Sequence, residues 1–479
     1  MIIIINPPNP EGTVSNKDMM AGLGQLYPAG GPKIPPIDIA YIAACLKSER
    51  LPFEVIDCLG LVYSFTELLL KIKNLQNSHK DITLAIRTSL PTSTFDLNIA
   101  KLLKENTDAK IIMFGPYVSL NREFFLEKTY IDAVIVNEPE YIFVDIYKKG
   151  LKNTDGLWYR TAGGDVVKNK EKDYIDNLDV LPFPAWQYLP YKNYILPSLQ
   201  FPSVDYFLPV ISSRGCPFFC HYCPYPVLQG RRWRPRSATN VVEEIKYLMD
   251  RFKVKNILFR DPEFTLNRER IVLLCKLICE EKIKFNWRCE TRLDTLDSEL
   301  ITLMAKAGCC GMNFGIETPT PEVAQKSGRT VSEKEKMLDI FKACKKSGIR
   351  VFCFFIIGLP GQDKKEIFQM INLAHEIDPD EVQFSLATPY PGTKLRQWVE
   401  EKDFILDKDP RHYTGYFAVT RNEFLSRRQL AQIYSFAQHS LGRRKSTRGL
   451  RIKNGGLLQY GKEIAKDIFF SFEKMLIGR

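Results

Sequence analysis

Short apolar runs alternate with amphipathic stretches along the first 150 residues of the chain. The apolar runs predict strands at 2–5, 53–57, 82–87, 110–114 and 132–136. The stretches between them predict helices near 37–49, 63–76, 94–106, 120–128 and 140–149. Strand–helix alternation at this spacing is typical of a doubly wound parallel sheet. We therefore predict an α/β domain of Rossmann-like (flavodoxin-like) type over residues 1–150.

The alternation resumes at Leu208, after a connector over residues 151–200 that carries a hairpin signal at Gly163-Gly164. It predicts strands at 208–213, 256–260, 285–290, 311–316, 350–357 and 380–386. Helices are predicted near 239–252, 267–282, 296–307, 332–347 and 363–376. Six successive units of this kind fit a partial (β/α)6 TIM barrel over residues 201–400, with chemistry at the carboxyl ends of its strands.

The composition is that of an ordinary globular protein, with 479 residues of which 45% are hydrophobic and 26% charged. This length predicts two or three domains. No apolar run reaches the roughly eighteen residues of a transmembrane helix. The apolar Met1–Ile5 leads directly into Asn6-Pro7-Pro8, which predicts a strand rather than a signal peptide. We expect a cytoplasmic protein with free thiols.

The net charge of +11 is concentrated near the C-terminus, where residues 421–479 hold thirteen lysines and arginines against four acidic residues. Residues 401–479 are predicted to form a basic helical extension, in which Ile464, Ile468, Phe472 and Met475 share one helical face. Such a helix either rests on an anionic membrane, as a peripheral contact at its inner face, or packs on the barrel. A nucleic-acid interaction is a third reading of the charge, but no RNA-binding module is recognisable, so we expect no nucleic-acid partner.

Three cysteines with the spacing C-x3-C-x2-C, namely Cys216, Cys220 and Cys223, directly follow the apolar run of the first barrel strand. Three thiolates this close together can converge on one face of an iron–sulfur cluster, and the fourth iron is then open to a small molecule. Zinc is the alternative, but a structural zinc site needs four ligands, and His221 lies inside the same short loop. The spacing favours the cluster.

This motif, C-x3-C-x-aromatic-C after a first barrel strand, resembles that of the radical S-adenosylmethionine (SAM) superfamily. The resemblance implies a 4Fe–4S cluster whose open iron chelates the amino and carboxylate groups of SAM. It also implies reductive cleavage of SAM to a deoxyadenosyl radical, with an electron donor such as flavodoxin or ferredoxin as partner. By family position, Tyr222 would lie against the adenine.

Polar residues at the ends of the later barrel strands are candidates for the SAM site, although a solvated charge at a loop edge has the same appearance. The resemblance places Asp261 and Glu263 where the family holds the amino end of SAM. Arg292 is a candidate partner of the methionyl carboxylate. Glu317 is placed to accept the ribose hydroxyls, and the turn at Gly358 lets the backbone approach the adenine. A phosphate loop is not expected at Gly358, because the Lys-Ser/Thr pair is missing.

The ends of the first five strands resemble the cobalamin-binding domain that precedes many radical SAM cores. The candidate residues there are Asn6, Asp57, Gly115 and Glu138. The usual Asp-x-His-x-x-Gly signature is absent, since Asp57-Cys58-Leu59-Gly60 stands near its place without a histidine. The resemblance therefore implies cobalamin bound without a histidine ligand. A domain of this fold without a cofactor is the alternative.

The run Pro389-Tyr390-Pro391-Gly392-Thr393 resembles the cobalamin-dependent radical SAM group that includes bacteriochlorophyll- and hopanoid-pathway enzymes. The simplest function this implies is methyl transfer to an sp3 carbon of a small-molecule or lipid-like substrate. Radical oxidation, cyclisation or rearrangement of a lipid- or isoprenoid-like substrate is the alternative within the fold. Modification of a nucleic acid is a third hypothesis, from another class of function.

Overall fold

A computed structural model describes residues 1–194, 201–202 and 205–446 of the chain. The chain divides into two compact units, Met1–Tyr434 and Ser435–Arg479. The predicted amphipathic helix around Ile464–Met475 lies outside the described residues, so its contact with a membrane stays a prediction. The domain boundaries proposed from the sequence also stay predictions. Over the part of the chain that the structure describes, no helix has the length and apolar character needed to cross a membrane.

The N-terminal part of the chain is a layered α/β structure. Its strands are β1 (Ile2–Asn6), β2 (Thr13–Asn16), β3 (Gln25–Pro28), β4 (Phe53–Asp57), β5 (Thr83–Arg87), β6 (Lys110–Phe114), β7 (Ala133–Ile135), β8 (Leu157–Arg160) and β9 (Val166–Lys168). Its helices are α1 (Ile37–Ser48), α2 (Cys58–Leu61), α3 (Phe65–Ser78), α4 (Ser93–Asn106), α5 (Pro116–Leu120), α6 (Arg122–Leu126) and α7 (Glu140–Lys149). The predicted Rossmann-like α/β fold is confirmed.

Seven strands form the first sheet, in the order β4-β1-β5-β6-β7-β8-β9. Strand β1 is buried along its whole length and pairs in parallel with β4 on one side and β5 on the other, which explains its continuous apolar sequence. The hairpin predicted at Gly163-Gly164 forms β8 and β9 and extends the sheet by antiparallel pairing with β7. A second hairpin, β2–β3, lies between β1 and α1 and was not predicted.

The second part of the chain holds the barrel. Its strands are β10 (Phe207–Val210), β11 (Ser213–Arg214), β12 (Arg234–Pro235), β13 (Asn256–Phe259), β14 (Asn286–Thr291), β15 (Cys309–Glu317), β16 (Arg350–Ile357) and β17 (Glu381–Leu386). Its helices are α8 (Tyr225–Leu228), α9 (Ala238–Phe252), α10 (Arg268–Glu280), α11 (Ser298–Lys306), α12 (Pro321–Lys326), α13 (Lys334–Lys346), α14 (Lys364–Glu376), α15 (Lys394–Glu401) and α16 (Arg427–Ser446).

Six parallel strands make the second sheet, and their spatial order β10-β13-β14-β15-β16-β17 follows their order along the chain. This is the predicted partial barrel, and it brings the carboxyl ends of all six strands to one face. The short strands β11 and β12 pair beside that face in antiparallel orientation, on either side of the three-cysteine loop. The fold therefore places the cysteines and the polar strand ends together.

Candidate active site at the mouth of the barrel

A cavity of about 390 Å³ opens at the carboxyl ends of the barrel strands. Seven of the predicted residues line it, and they are Cys216, Cys220, Tyr222, Cys223, Glu263, Arg292 and Glu317. The β2–β3 hairpin and the segments on either side of it supply part of the opposite wall, including Met19, Met20 and Tyr27. The cavity is thus built from both halves of the chain.

The backbone conformation of the three-cysteine loop requires a glycine at position 215. Gly215 has a φ of +79°, and a Cβ there would collide with the backbone carbonyl oxygen of Arg232, so the position requires glycine. The amide of Cys216 donates to the carbonyl of Gly230 (3.1 Å), and the amide of Cys223 donates to the carbonyl of Cys220 (3.1 Å). These bonds curl the loop so that all three thiols face the cavity.

The chemistry of the three thiols fits an iron–sulfur cluster. Cys216 is buried and Cys220 and Cys223 are half-buried. Burial raises the pKa of Cys216 to about 11 and also raises that of Cys223, so thiolates here need a cation beside them. Among the described residues, no three His, Cys, Asp or Glu side chains are arranged to hold a single metal ion.

His221 is held on the outer side of the loop. Its amide donates to the carbonyl of Ser327 (2.9 Å), and its carbonyl accepts from the amide of Leu395 (2.9 Å). The ring Nδ1 lies 2.9 Å from the carbonyl oxygen of Lys326. The side chain does not line the cavity, which removes His221 as a fourth ligand in this conformation.

Tyr222, Glu317 and Arg329 form one half-buried polar group on the cavity wall. Glu317 ends β15 with a φ of +64°, a strained conformation for a residue with a side chain. Burial raises the pKa of Glu317, against the guanidinium of Arg329, which lowers it. Arg329 Nη1 lies 3.5 Å from the Tyr222 hydroxyl and 3.8 Å from Cys220 Sγ, and Nη2 donates to the carbonyl of Gly315. Sequence reasoning missed Arg329, because it follows a helix rather than a strand.

Glu263 and Arg292 reach the cavity, but each is already bonded to protein groups. Glu263 Oε1 accepts from the Thr291 hydroxyl (2.7 Å) and from the Arg292 amide (3.2 Å). The Arg292 guanidinium forms a bidentate pair with Asp294 (2.9 and 2.5 Å) and donates to the Thr330 hydroxyl (2.8 Å). The charge of Arg292 is therefore largely compensated within the protein.

Asp261 and Gly358 lie near the site without lining the cavity. Asp261 accepts from the amide of Ser212 (2.8 Å), from its hydroxyl (2.5 Å) and from the hydroxyl of Ser213 (2.7 Å). It thereby fixes the chain that leads into the cysteine loop. Gly358 has a φ of +91°, and its amide donates to Oε1 of Gln362 (2.7 Å), so it closes the turn after β16.

A smaller cavity of about 130 Å³ lies at the carboxyl edge of the first sheet, and Gly115 and Glu138 line it. It shares Tyr225 and Arg260 with the larger cavity. Glu138 bridges Arg214 (3.0 Å) and Arg234 (2.8 Å). Glu140 Oε2, on the same lining, is buried and has no hydrogen-bond partner among the described residues.

The other two candidates at this edge, Asn6 and Asp57, lie together but away from the cavity. Asp57 Oδ1 accepts from the Asn6 amide group (2.8 Å), and Oδ2 accepts from the Tyr194 hydroxyl (2.5 Å). A Cβ at Gly60 would meet Pro190, Asp57 and Tyr194 within 2.8 Å. The space next to Gly60, near the position where the cobalamin signature carries its histidine, is thus filled by Tyr194 and its neighbours.

Comparison with known proteins identifies the family of this chain. Residues 210–374 match the family model of the radical SAM superfamily. An uncharacterised methyltransferase of Pyrococcus horikoshii is 31% identical over 405 residues, which cover 83% of this chain and 86% of that protein. The anaerobic magnesium-protoporphyrin IX monomethyl ester cyclase of Cereibacter sphaeroides is 26% identical, over 83% of this chain and 67% of the cyclase.

Among solved structures, the radical SAM methyltransferase TsrM of Kitasatospora setae, with cobalamin and a [4Fe-4S] cluster bound, superposes with a TM-score of 0.66. The match covers 85% of this chain and 76% of TsrM at 18% sequence identity, so it concerns the fold. The superfamily uses a 4Fe–4S cluster and SAM, as the cysteine motif predicts. The chain belongs to the radical SAM superfamily, in the group related to the anaerobic magnesium-protoporphyrin IX monomethyl ester cyclases.

Proposed function

We propose that this protein is a cobalamin-dependent radical SAM methyltransferase acting on an unactivated carbon. The observation that carries the proposal is the convergence of three cysteine thiols, Tyr222, Glu317 and Arg329 on one cavity, with a second polar cavity beside it at the edge of the first sheet. When bound, the cluster and SAM supply a deoxyadenosyl radical, and cobalamin supplies the methyl group. The similarity to the Pyrococcus horikoshii methyltransferase supports methyl transfer.

The residues around the larger cavity suit the parts of SAM. Cys216, Cys220 and Cys223 would hold the cluster, and Tyr222 would lie against the adenine. Glu317 would accept the ribose hydroxyls, while Glu263, whose carboxylate lines the cavity, would accept from the amino group.

We assign the methionyl carboxylate to Arg329 instead of Arg292. Arg292 is already paired with Asp294, whereas the hydrogen bonds of Arg329 go to a carbonyl, a thiol and a hydroxyl. A guanidinium without a bonded carboxylate is the better partner for the carboxylate of SAM. Asp261 and Gly358 would act indirectly, by positioning the chain next to the cluster loop and the turn after β16.

The smaller cavity, of about 130 Å³, is far too small for a whole cobalamin, so its polar lining would contact only one edge of the corrin. Glu140 Oε2 is an unpaired buried acceptor of the kind that an amide group of the corrin would satisfy. Gly115 and Glu138 line the same space, and Asn6 and Asp57 would contribute by shaping the sheet edge. No histidine lines this cavity, so we propose binding without a protein ligand below cobalt.

The walls of the larger cavity indicate the character of the substrate. Met19, Met20 and Tyr27 line one side, and Phe352 and Phe354 of β16 line another. Arg260, whose Nη2 lies 3.5 Å from Met19 Sδ, pairs with Glu290 (3.3 Å). An apolar wall with a compensated charge suits a neutral substrate with extended apolar or aromatic surface. A lipid- or isoprenoid-like compound fits this description.

Cyclisation is the second candidate reaction, because the Cereibacter sphaeroides cyclase matches 83% of this chain. Product analysis separates the two functions. The reconstituted protein is incubated anaerobically with cell extracts and SAM that carries a trideuterated methyl group, and products are examined by mass spectrometry. Methyl transfer predicts a product that carries the label. An oxidised or cyclised product without label, formed together with deoxyadenosine, would contradict methyl transfer and support the second candidate.

Cobalamin binding has its own test. The full chain, incubated with hydroxocobalamin and desalted, should retain the cofactor. The full chain loaded instead with cobinamide, which lacks the dimethylbenzimidazole base, and reduced to the Co(II) form should give an electron paramagnetic resonance spectrum without nitrogen superhyperfine splitting. Failure of the full chain to retain cobalamin, or a spectrum with that splitting, would contradict the proposed mode of binding.

A further inference from the structure

The larger cavity carries neutral hydrogen-bonding side chains to which neither the cluster nor SAM is assigned. Gln383 and Ser385 of β17 line the cavity, and so do Tyr27 of β3 and Tyr416. All four are half-buried. A half-buried polar side chain on the wall of a cavity can bond to a group that enters it.

Strand β17 presents an amide next to an apolar wall. Gln383 and Ser385 are two positions apart, so their side chains point to the same face of the sheet. Their partners in register on β16 are Phe354 and Ile356, which line the same cavity. Nε2 of Gln383 donates to the Ser385 hydroxyl (3.3 Å). An amide nitrogen carries two N–H donors, and Ser385 engages one of them.

Two tyrosine hydroxyls come close to this amide. The ring centroids of Tyr27 and Tyr416 lie 5.7 Å apart. The Tyr27 hydroxyl donates to the side-chain oxygen of Gln25, and Nε2 of Gln25 donates to the carbonyl of Thr414 (3.2 Å). Burial raises the pKa of Tyr416, and the neighbouring Tyr27 raises it further, whereas Gln383 lowers it. Tyr416 is therefore a neutral hydroxyl at physiological pH.

The charges of the cavity leave this part of the wall neutral. Among the described residues, three cations line the cavity. Arg260 pairs with Glu290 (3.3 Å), and Arg292 pairs with Asp294 (2.5 Å). Arg329 is the proposed partner of the SAM carboxylate. A carboxylate or phosphate of the substrate would lack a cation here, and a buried charge without a partner is costly. A hydroxyl and an amide suit the lone pairs of a carbonyl oxygen.

We infer that Tyr416 and Gln383 bind a neutral carbonyl oxygen of an otherwise apolar substrate. The Tyr416 O–H and one N–H of Gln383 donate to this oxygen, while Phe352 and Phe354 contact the apolar part. The inference rests on the proposed function, because it concerns the substrate of the same cavity. It narrows the lipid- or isoprenoid-like substrate to one that carries a ketone, quinone, ester or amide group.

The test measures labelled product over a series of dilutions of cell extract. The reconstituted full chain receives SAM with a trideuterated methyl group, and the extract concentration that gives the half-maximal rate is compared among variants. Tyr416→Phe and Gln383→Leu should each raise this concentration about tenfold, because each removes one hydrogen bond to a buried oxygen. Deoxyadenosine formation from SAM and dithionite without extract should stay unchanged. The infrared spectrum of the purified labelled product should show a C=O stretching band.

Gln383→Glu replaces the amide donor by a carboxylate and should raise the half-maximal concentration at least as much. Tyr188→Phe is the matched control, because it removes a hydroxyl from an exposed tyrosine that lines neither cavity. It should leave the half-maximal concentration unchanged.

Unchanged half-maximal concentrations in Tyr416→Phe and Gln383→Leu would overturn the inference and leave methyl transfer intact. A lower concentration in Gln383→Glu, or a labelled product without a carbonyl group, would do the same. An equal loss of deoxyadenosine formation without extract would show that the two side chains act on the SAM site and would also overturn it. A wild type that forms no labelled product would contradict the proposed function, and the carbonyl site with it.

Discussion

The guanidinium Nη1 of Arg329 lies 3.8 Å from the sulfur of Cys220, although 109 residues separate them in the chain. Arg329 reaches Cys220, a proposed cluster ligand, from the turn after α12, and the same guanidinium donates to the carbonyl of Gly315 near the end of β15. A fixed positive charge is therefore part of the proposed cluster site. It stands beside both the Cys220 thiol and the carboxylate of Glu317, whose pKa is raised by burial against the lowering effect of Arg329.

Replacement of Arg329 by Gln should lower both the affinity for SAM and the midpoint potential of the cluster. The affinity for SAM should fall at least about tenfold, because a charge-assisted hydrogen bond to a carboxylate is worth roughly 1.5–3 kcal/mol. The midpoint potential of the cluster should also fall, since a nearby cation favours the reduced, more negative state. Equilibrium dialysis with labelled SAM and a spectroscopic redox titration measure the two quantities.

Arg292→Gln provides the comparison, because Arg292 is paired with Asp294. This variant should lose less affinity for SAM than Arg329→Gln. If Arg292→Gln loses SAM binding and Arg329→Gln retains it, the carboxylate belongs to Arg292, as the sequence alone suggested, and our assignment is wrong.

Substitution of Gly215 by Ala should prevent the cysteine loop from forming. An added methyl group would collide with the carbonyl oxygen of Arg232 in a backbone conformation with a φ of +79°, which a side chain already disfavours. Iron bound per chain after reconstitution should drop to a small fraction of the wild-type value. Gly164→Ala is the control, because Gly164 also has a positive φ but open space around its Cα. Normal iron content in Gly215→Ala would contradict this account of the loop.

Asp18 should make the stability of the protein depend on pH. Burial raises the pKa of this carboxyl from 3.8 to about 6, although the positive charge of Arg87 acts to lower it. The folded state then binds the Asp18 proton more tightly than the unfolded state, so the contribution of Asp18 to stability is lost as the pH rises from about 4 to about 6. Asp18→Asn should raise the melting temperature at pH 8 by a few degrees and leave it unchanged near pH 4.

Arg87 also pairs with Asp38 at 2.7 Å, so its guanidinium keeps a carboxylate partner when the charge of Asp18 is removed. Thermal melts of the wild type and Asp18→Asn at both pH values are the measurement. A lower melting temperature of the variant at pH 8 would mean that the ion pair with Arg87 outweighs the burial of Asp18.

The succession of the barrel strands and the face of the barrel that carries the cavity could be predicted from the sequence for a clear reason. Apolar periodicity identifies parallel strands, and parallel strands end at the same edge of a sheet, so Glu263 and Glu317 had to meet near the cysteine loop. Local spacing likewise identified the three cysteines as one group. These features depend only on residues that are close together in the chain.

Features that depend on distant side chains could not be predicted in this way. Arg329 bonds to Cys220 across 109 residues, and nothing in its local sequence distinguishes it from a solvated arginine. Asp261 and Glu263 follow the same strand, yet Asp261 holds Ser212 and Ser213 while Glu263 faces the cavity. The Tyr194 hydroxyl reaches Asp57 across 137 residues. Only the packed structure separates these roles.

The most direct test of the central claim is the formation of 5′-deoxyadenosine by the anaerobically reconstituted protein with SAM and dithionite. The wild type should bind about four irons per chain, as one cluster requires, and should release deoxyadenosine. Cys216→Ala, Cys220→Ala and Cys223→Ala should each release none, whereas Cys279→Ala, which removes an exposed cysteine outside the loop, should match the wild type. If the three loop variants kept their iron and still formed deoxyadenosine, the assignment of this site would be wrong.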